Sequence, residues 1–121
     1  MTHILVVDDS PTELHVLKVM LERNGYQVTI ASSGEEGVAL ARQARPDLIL
    51  MDVVMPGLNG FQATRLLARE PRTRSIPVII VTTKDQETDK IWAQRQGARA
   101  YVVKPPRERE LLESINTVLV G

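Results

Sequence analysis

The sequence lacks cysteine, long hydrophobic runs and a net charge. Without cysteine it has no disulfide framework, no thiolate zinc site and no thiol nucleophile. No apolar run approaches the roughly 20 residues that cross a bilayer as a helix, so we expect no membrane insertion. The first strand-like run begins at residue 3, which leaves no room for a signal peptide. These absences predict a soluble, cytoplasmic protein.

The charges balance, with fifteen basic and fifteen acidic residues. A neutral balance does not favour binding to nucleic acid, which depends on excess positive charge. The 121 residues suit one domain, and 43% hydrophobic and 25% charged residues are ordinary globular usage. We therefore expect a single folded domain over residues 1–121.

Apolar runs alternate with helical patterns along the whole chain. The runs predict five strands, at residues 3–7, 27–31, 48–52, 78–81 and 100–103. A helical pattern follows each run; the first two begin at the N-cap signals of Ser10 and Ser33. In the fourth, at residues 85–96, the apolar part is Ile91, Trp92 and Ala93. This alternation predicts a parallel sheet that is covered by helices on both faces.

Polar side chains follow four of the five predicted strands. In parallel α/β sheets, ligands bind outside the carboxyl ends of the strands. Three carboxylates, two hydroxyls and one ammonium group are therefore expected at one edge of the sheet, from Asp8, Asp9, Asp52, Thr82, Thr83 and Lys104, with Pro105 next in the chain.

The expected cluster of carboxylates favours a cation. Carboxylates held together repel one another, and their pKa values rise unless a cation intervenes. A few carboxylates with room for water suit Mg²⁺ better than a caged Ca²⁺. With Lys104 nearby, such a site is equipped to stabilise charge on a transferring phosphoryl group, and an aspartate can itself be the nucleophile.

Each of these residues, taken alone, has a simpler structural interpretation. Asp8 and Asp9 also fit a turn or a helix cap, and threonines such as Thr82 commonly end strands. A single lysine is usually solvated, and Tyr101 fits a packing role. Trp92 is equally consistent with a core position and with an exposed surface that faces a partner. Only their convergence at one edge favours the functional interpretation.

Four motifs resemble those of response-regulator receiver domains, in order and at the expected spacing along the whole chain. They are VVDDS, LILMDVVMPGLNG, VIIVTT and YVVKP. The resemblance implies a flavodoxin-like, doubly wound five-stranded sheet with strand order 2-1-3-4-5 and five helices. No output domain is expected, because the chain ends with its last helix.

The resemblance also implies a role for each residue at the edge. Asp52 is the expected phosphoacceptor, in a reaction that requires Mg²⁺. The implied metal ligands are Asp8, Asp9, Asp52 and the backbone carbonyl of Val54. The implied phosphate-binding and switch residues are Thr82, Thr83, Tyr101 and Lys104, and a cis peptide is expected before Pro105. The sequence departs from the family pattern at Pro106, where a large apolar residue is usual, while Val54 and Lys84 occupy positions that modulate phosphate lifetime.

Three further segments, DSPTE, MPGLNGFQATR and TTKDQETDK, resemble single-domain regulators of type IV pilus twitching motility. This implies a stand-alone, monomeric regulator that receives its phosphoryl group from a histidine kinase. It would catalyse only its own phosphorylation and dephosphorylation. It would then either switch a surface that binds a motor or pilus protein, or act as a phosphate sink.

Two other classes of function compete with this interpretation. A metal-dependent phosphatase would also use an aspartyl phosphate, but it would normally carry a second carboxylate where this chain has Val54. A dinucleotide or flavin binder would share the sheet, but no G-x-G-x-x-G motif follows the first strand. Turnover of a phosphomonoester would identify the former, and flavin absorbance the latter.

Overall fold

The protein is described by a computed structural model that covers residues 1–121. A five-stranded parallel sheet has the order β2-β1-β3-β4-β5, which confirms the expected topology. No helix combines the length and apolarity that a membrane span requires. The elements in chain order are β1 (His3–Val7), α1 (Pro11–Glu22), β2 (Gln27–Ala31), α2 (Gly34–Ala44), β3 (Leu48–Met51), α3 (Gly60–Arg69), β4 (Val78–Thr82), α4 (Glu87–Gln96), β5 (Ala100–Val103) and α5 (Glu108–Val120).

The sheet separates two hydrophobic clusters, one on each face. Successive side chains of a strand point to opposite faces, so Leu5 and Val7 pack with α2, α3 and α4. Ile4 and Val6, their neighbours in β1, pack with α1 and α5 on the other face. Both faces are covered, which is why β1, β3 and β4 are almost continuously apolar.

Polar caps set the beginnings of three helices. The Ser10 hydroxyl accepts a hydrogen bond from the backbone of Glu13, and Pro11 is the first residue of α1. The Ser33 hydroxyl caps α2 in the same way. Asn59 and Gln62 form a reciprocal capping box at α3. These local contacts fix where each helix leaves the loop that follows its strand.

Helix α4 is held to the sheet by little apolar area. Of its apolar residues Ile91, Trp92 and Ala93, the first two are each 47% exposed, and the buried residues of the helix are Ala93 and Gln96. Of the two interpretations left open for Trp92, the structure therefore supports the exposed one. The helix also begins at Glu87 rather than at residue 85. The two large side chains face outward because the small Ala93 makes the contact with the core. Trp92 is therefore a surface residue.

Gly60 brings the start of α3 against the chain that follows β3. A Cβ atom at residue 60 would overlap the backbone carbonyl oxygen of Asp52. The Gly60 amide donates to the Val53 carbonyl at 3.0 Å. The absence of a side chain at residue 60 therefore permits α3 to begin this close to the backbone of Asp52.

Candidate functional site

Three carboxylates converge at the edge of the sheet where the strands end. Oxygen atoms of Asp8, Asp9 and Asp52 lie within 4.8 Å of one another. Asp8 and Asp9 follow β1, and Asp52 follows its neighbour β3. These adjacent strands lie where the chain reverses its direction of winding, the usual place for a ligand in such sheets. The structure thus brings together the three carboxylates that the sequence placed at strand ends.

Asp52 lies at the mouth of the site, with 8% of its surface exposed. Its amide donates to the Val7 carbonyl at 2.9 Å, which extends the pairing of β3 with β1 by one residue. Its Oδ1 accepts a hydrogen bond from the Val53 amide at 2.7 Å. The carboxylate is therefore oriented by backbone contacts while part of it still faces solvent.

Lys104 joins the carboxylates from the end of β5. Its Nζ lies 2.5 Å from Oδ2 of Asp8 and 3.2 Å from Oδ2 of Asp52. Its side chain is only 7% exposed, so these ion pairs are largely shielded from water. Glu13 of α1 lies 3.8 Å from the same ammonium group. Glu13 was not among the residues expected at the site; its position in the first turn of α1, shortly after the Asp8-Asp9 pair, is the signal in the sequence that could have indicated it.

Burial and hydrogen bonding shift the pKa values of two groups. Burial raises the pKa of Asp8, hydrogen bonds from Lys104 and Ser10 oppose that rise, and the charge of Asp52 adds to it. Burial alone would lower the pKa of Lys104, but the hydrogen bond to Asp8 and the charges of Asp52 and Asp8 raise it overall. The expected rise in a carboxylate pKa occurs, but its main cause at Asp8 is burial rather than repulsion.

The expected switch residues belong to the two strands next to β3 on that side of the sheet, with Thr82 and Thr83 at the end of β4 and Tyr101 in β5. Thr82 is fully buried at the end of β4, and its hydroxyl accepts a long hydrogen bond of 3.5 Å from the Lys84 amide. Thr83 is exposed and makes no side-chain hydrogen bond. The Tyr101 hydroxyl donates to the Lys84 carbonyl at 2.8 Å. Burial and the charges of Asp89, Asp85 and Asp52 raise the pKa of Tyr101 to about 12.

The remaining predicted positions are also at this edge. The Lys104–Pro105 peptide is cis. Val54 is 57% exposed in the loop that follows Asp52. Pro106 is partly buried and lies before α5, which begins at Glu108. The chain therefore enters α5 in spite of the unusual proline.

Residues 4–116 match the family described as the response regulator receiver domain. The chain belongs to that family. It is 64% identical to Protein PilH of Pseudomonas aeruginosa, and the match covers all of both sequences. This receiver domain and that relative can therefore be compared along their entire sequences.

Solved structures share the fold of this receiver domain. Chemotaxis protein CheY4 of Vibrio cholerae is 31% identical with a TM-score of 0.92, and 98% of each chain is covered. The receiver domain of a sensor histidine kinase from Pseudomonas aeruginosa is 32% identical with a TM-score of 0.92, over 99% of this chain and 98% of that one. The latter structure has a magnesium ion coordinated in its active-site cleft.

The donor set of this receiver domain fits Mg²⁺. Three carboxylates with ligand atoms within 4.8 Å of one another provide the hard oxygen ligands that Mg²⁺ takes, and exposed Asp9 leaves a side open to water. The Val54 carbonyl lies two residues after Asp52 in the same loop. The single ammonium group of Lys104 offsets only part of the negative charge.

The ionised Asp8 is expected to lower the stability of the metal-free protein. Its pKa is raised on folding, so the stability that its protonated form contributes is present below the ordinary pKa of 3.8. That contribution is lost as pH rises through the folded-state pKa. Asp8→Asn should therefore raise the free energy of unfolding at neutral pH by up to about 1 kcal/mol, after allowance for solvent screening. Below pH 3.8 the gain should vanish.

Urea unfolding of metal-free protein, repeated with millimolar Mg²⁺, measures this effect. The wild type should gain about 1.4 kcal/mol when Mg²⁺ is at ten times its Kd, and Asp8→Asn should gain less. Asp47→Asn is the matched control, because Asp47 lies before β3 at the opposite edge and should leave the Mg²⁺ response unchanged. An Asp8→Asn protein that is less stable than wild type without metal, with an unchanged response to Mg²⁺, would contradict the electrostatic argument.

Proposed function

We propose that this receiver domain accepts a phosphoryl group on Asp52 from a phosphohistidine of a histidine kinase, in a reaction that requires Mg²⁺. The observation that carries this proposal is the convergence of three carboxylates with the Lys104 ammonium group at 2.5 and 3.2 Å. Asp52 is the carboxylate best suited to attack, because it is partly exposed and also lies 3.2 Å from Lys104, whereas Asp8 is fully buried and exposed Asp9 makes no ion pair with Lys104.

In the proposed transfer, an oxygen of the Asp52 carboxylate attacks phosphorus. The phosphorus–nitrogen bond of the phosphohistidine breaks, and its electron pair returns to the imidazole. Lys104 is placed to pair with a phosphoryl oxygen next to Asp52. Bound Mg²⁺ would be held by Asp8, Asp9, Asp52 and the Val54 carbonyl, and it would supply positive charge against the phosphoryl oxygens. Dephosphorylation is attack of water on the same phosphorus, which releases phosphate and restores the carboxylate.

We propose that Thr82 and Tyr101 couple this reaction to a surface of the protein. Thr82 ends β4, which lies between the strands that precede Asp52 and Lys104. Its hydroxyl makes one long hydrogen bond of 3.5 Å, so little is lost when it moves. When that hydroxyl moves toward the phosphoryl group, Tyr101 leaves the Lys84 carbonyl and moves inward. Helix α4 then shifts because little apolar area holds it, and Trp92 shifts with it. A bias of a few kcal/mol between two existing conformations is sufficient.

The proposed setting is control of type IV pilus twitching motility. Its support is the resemblance of three segments to regulators of that kind and the 64% identity to Protein PilH. We propose a stand-alone, monomeric, cytoplasmic protein with one receiver domain over residues 1–121. Its partners would be a histidine kinase and either a motor or pilus protein; the alternative to such a target is a role as phosphate sink. The phosphatase interpretation is disfavoured because Val54 supplies no acid–base carboxylate.

A small phosphodonor with Mg²⁺ tests the proposal. Intact mass should show a gain of one phosphoryl group, which base removes and which omission of Mg²⁺ prevents. Trp92 is the only tryptophan, so its fluorescence should change in step with the mass. Labelling without metal, or at several residues, would contradict the proposed site. Labelling with unchanged fluorescence and unchanged backbone amide shifts in α4 and β5 would contradict only the switch.

A further inference from the structure

A second concave site lies between the ends of α3 and α4. It has a volume of about 340 Å³ and is lined by Arg65, Ala68, Arg69, Arg95, Gln96 and Gly97. The helices run opposite to the strands beside them, so their last turns lie at the edge of the sheet where the strands begin. This cleft is therefore at the opposite edge from the carboxylate cluster.

Three guanidinium groups in this cleft lack an acidic partner. Arg65, Arg69 and Arg95 are exposed, and none is among the ion pairs of the protein. Each arginine remains charged at neutral pH. The protein as a whole has no net charge. The three arginines therefore form a local positive patch, at the opposite edge of the sheet from the carboxylate cluster.

Gln96 is an independent sign of a ligand. Its residue surface is only 8% exposed, yet it lines the cleft and its side-chain amide makes no hydrogen bond within the protein. No fully buried side-chain nitrogen or oxygen lacks a partner, so the Gln96 amide meets the open space of the cleft. The amide is therefore held in the wall of the cleft with its hydrogen-bonding groups free for a molecule that enters, which would replace the water there.

Compensation of the helix dipoles does not account for the whole cluster. Arg69 and Arg95 lie in the last turns of their helices, where positive charge is stabilising. Arg65 lies one turn earlier, and Gln96 carries no charge. Ala68 and Gly97 keep the floor open; a Cβ atom at residue 97 would come within 2.9 Å of that of Ala68.

We propose that this cleft binds a compact anion with two linked phosphoryl groups. Guanidinium groups pair with phosphate oxygens through parallel hydrogen bonds, and the Gln96 amide adds a neutral donor. The volume is near the lower limit of roughly 300 Å³ for ligand pockets, and no aromatic side chain is present to stack on a nucleobase. The diphosphate group is therefore what the cleft recognises, whether free as pyrophosphate or carried by a nucleoside diphosphate.

Calorimetric titration in metal-free buffer at constant ionic strength tests the site with sodium pyrophosphate, orthophosphate and ADP. Pyrophosphate should bind saturably and at least about fivefold more tightly than orthophosphate, because it offers more charge-assisted hydrogen bonds. Equal binding of ADP would support the diphosphate of a nucleotide as the ligand, whereas rejection of ADP would support free pyrophosphate. Omitting metal prevents binding of a metal–pyrophosphate complex at the carboxylates.

Variants locate the binding. Arg65→Gln, Arg95→Gln and Gln96→Leu should each weaken pyrophosphate binding about fivefold or more. Arg107→Gln is the matched control, because Arg107 is exposed, unpaired and at the opposite edge; it should weaken binding less than about twofold. Far-UV circular dichroism checks that each variant is folded. Absence of saturable binding at millimolar pyrophosphate, an Arg107→Gln effect as large as that of Arg95→Gln, or no effect of Gln96→Leu would overturn the proposal.

Discussion

Asp52→Asn should lose the phosphoryl adduct that a small phosphodonor forms with the wild type. The amide keeps the shape of the side chain but removes the anionic oxygen that attacks phosphorus. We expect the labelled fraction at equal time to fall by at least about a hundredfold, in keeping with loss of a nucleophile. Intact mass after a timed reaction in millimolar Mg²⁺ measures it.

The neighbouring carboxylates make this a sharp test. Asp8 and Asp9 lie within the same 4.8 Å cluster. If position alone were sufficient, one of them would accept the phosphoryl group when Asp52 is replaced. Asp8 is fully buried and its Oδ2 is held by Lys104, and for this reason we expect it to remain unlabelled. Asp47→Asn, the same change at the opposite edge, should label like the wild type. Stoichiometric labelling of the Asp52→Asn protein at another residue would refute the assignment of Asp52.

Gly60→Ala should destabilise the fold and impair labelling together. The added Cβ would overlap the Asp52 carbonyl oxygen, a backbone atom that cannot rotate away. Forcing such an overlap costs up to about 3 kcal/mol and exceeds the gain of roughly 1 kcal/mol from replacing glycine in a helix. The free energy of unfolding in urea should therefore fall by about 2 kcal/mol. Labelling should slow because the displaced backbone carries the Asp52 carboxylate away from Lys104.

Gly25→Ala separates this steric effect from the general loss of a glycine. Gly25 has a φ of 88°, and a Cβ atom there would meet nothing within 4 Å. Its replacement should cost only about 1 kcal/mol of conformational strain and should leave labelling unchanged. If Gly60→Ala were no more destabilising than Gly25→Ala and labelled at the wild-type rate, the close approach of α3 would not position Asp52.

The local sequence pattern predicted the elements of the fold well because each element has its own physical signal. Apolar runs such as 48–51 indicated strands that are buried on both faces, and serine caps at Ser10 and Ser33 set the first helices. The alternation of strands and helices predicted a parallel sheet, and the carboxyl-end rule brought Asp8, Asp9 and Asp52 together. The strand order itself came from family resemblance, since periodicity within a strand carries no information about its neighbours.

Only the tertiary structure decided the features that depend on distant contacts. Ile91 and Trp92 have the hydrophobicity of core residues, but the chain around them turns Ala93 inward and leaves both at the surface. The raised pKa of Asp8 comes mainly from burial, which sequence spacing cannot measure. Arg65 and Arg95 are 30 positions apart, and nothing in either segment indicates that α3 and α4 place them on one cleft with Gln96. Short-range patterns determined which residues form each element and which polar side chains follow each strand. Packing between elements determined which charged groups share a site.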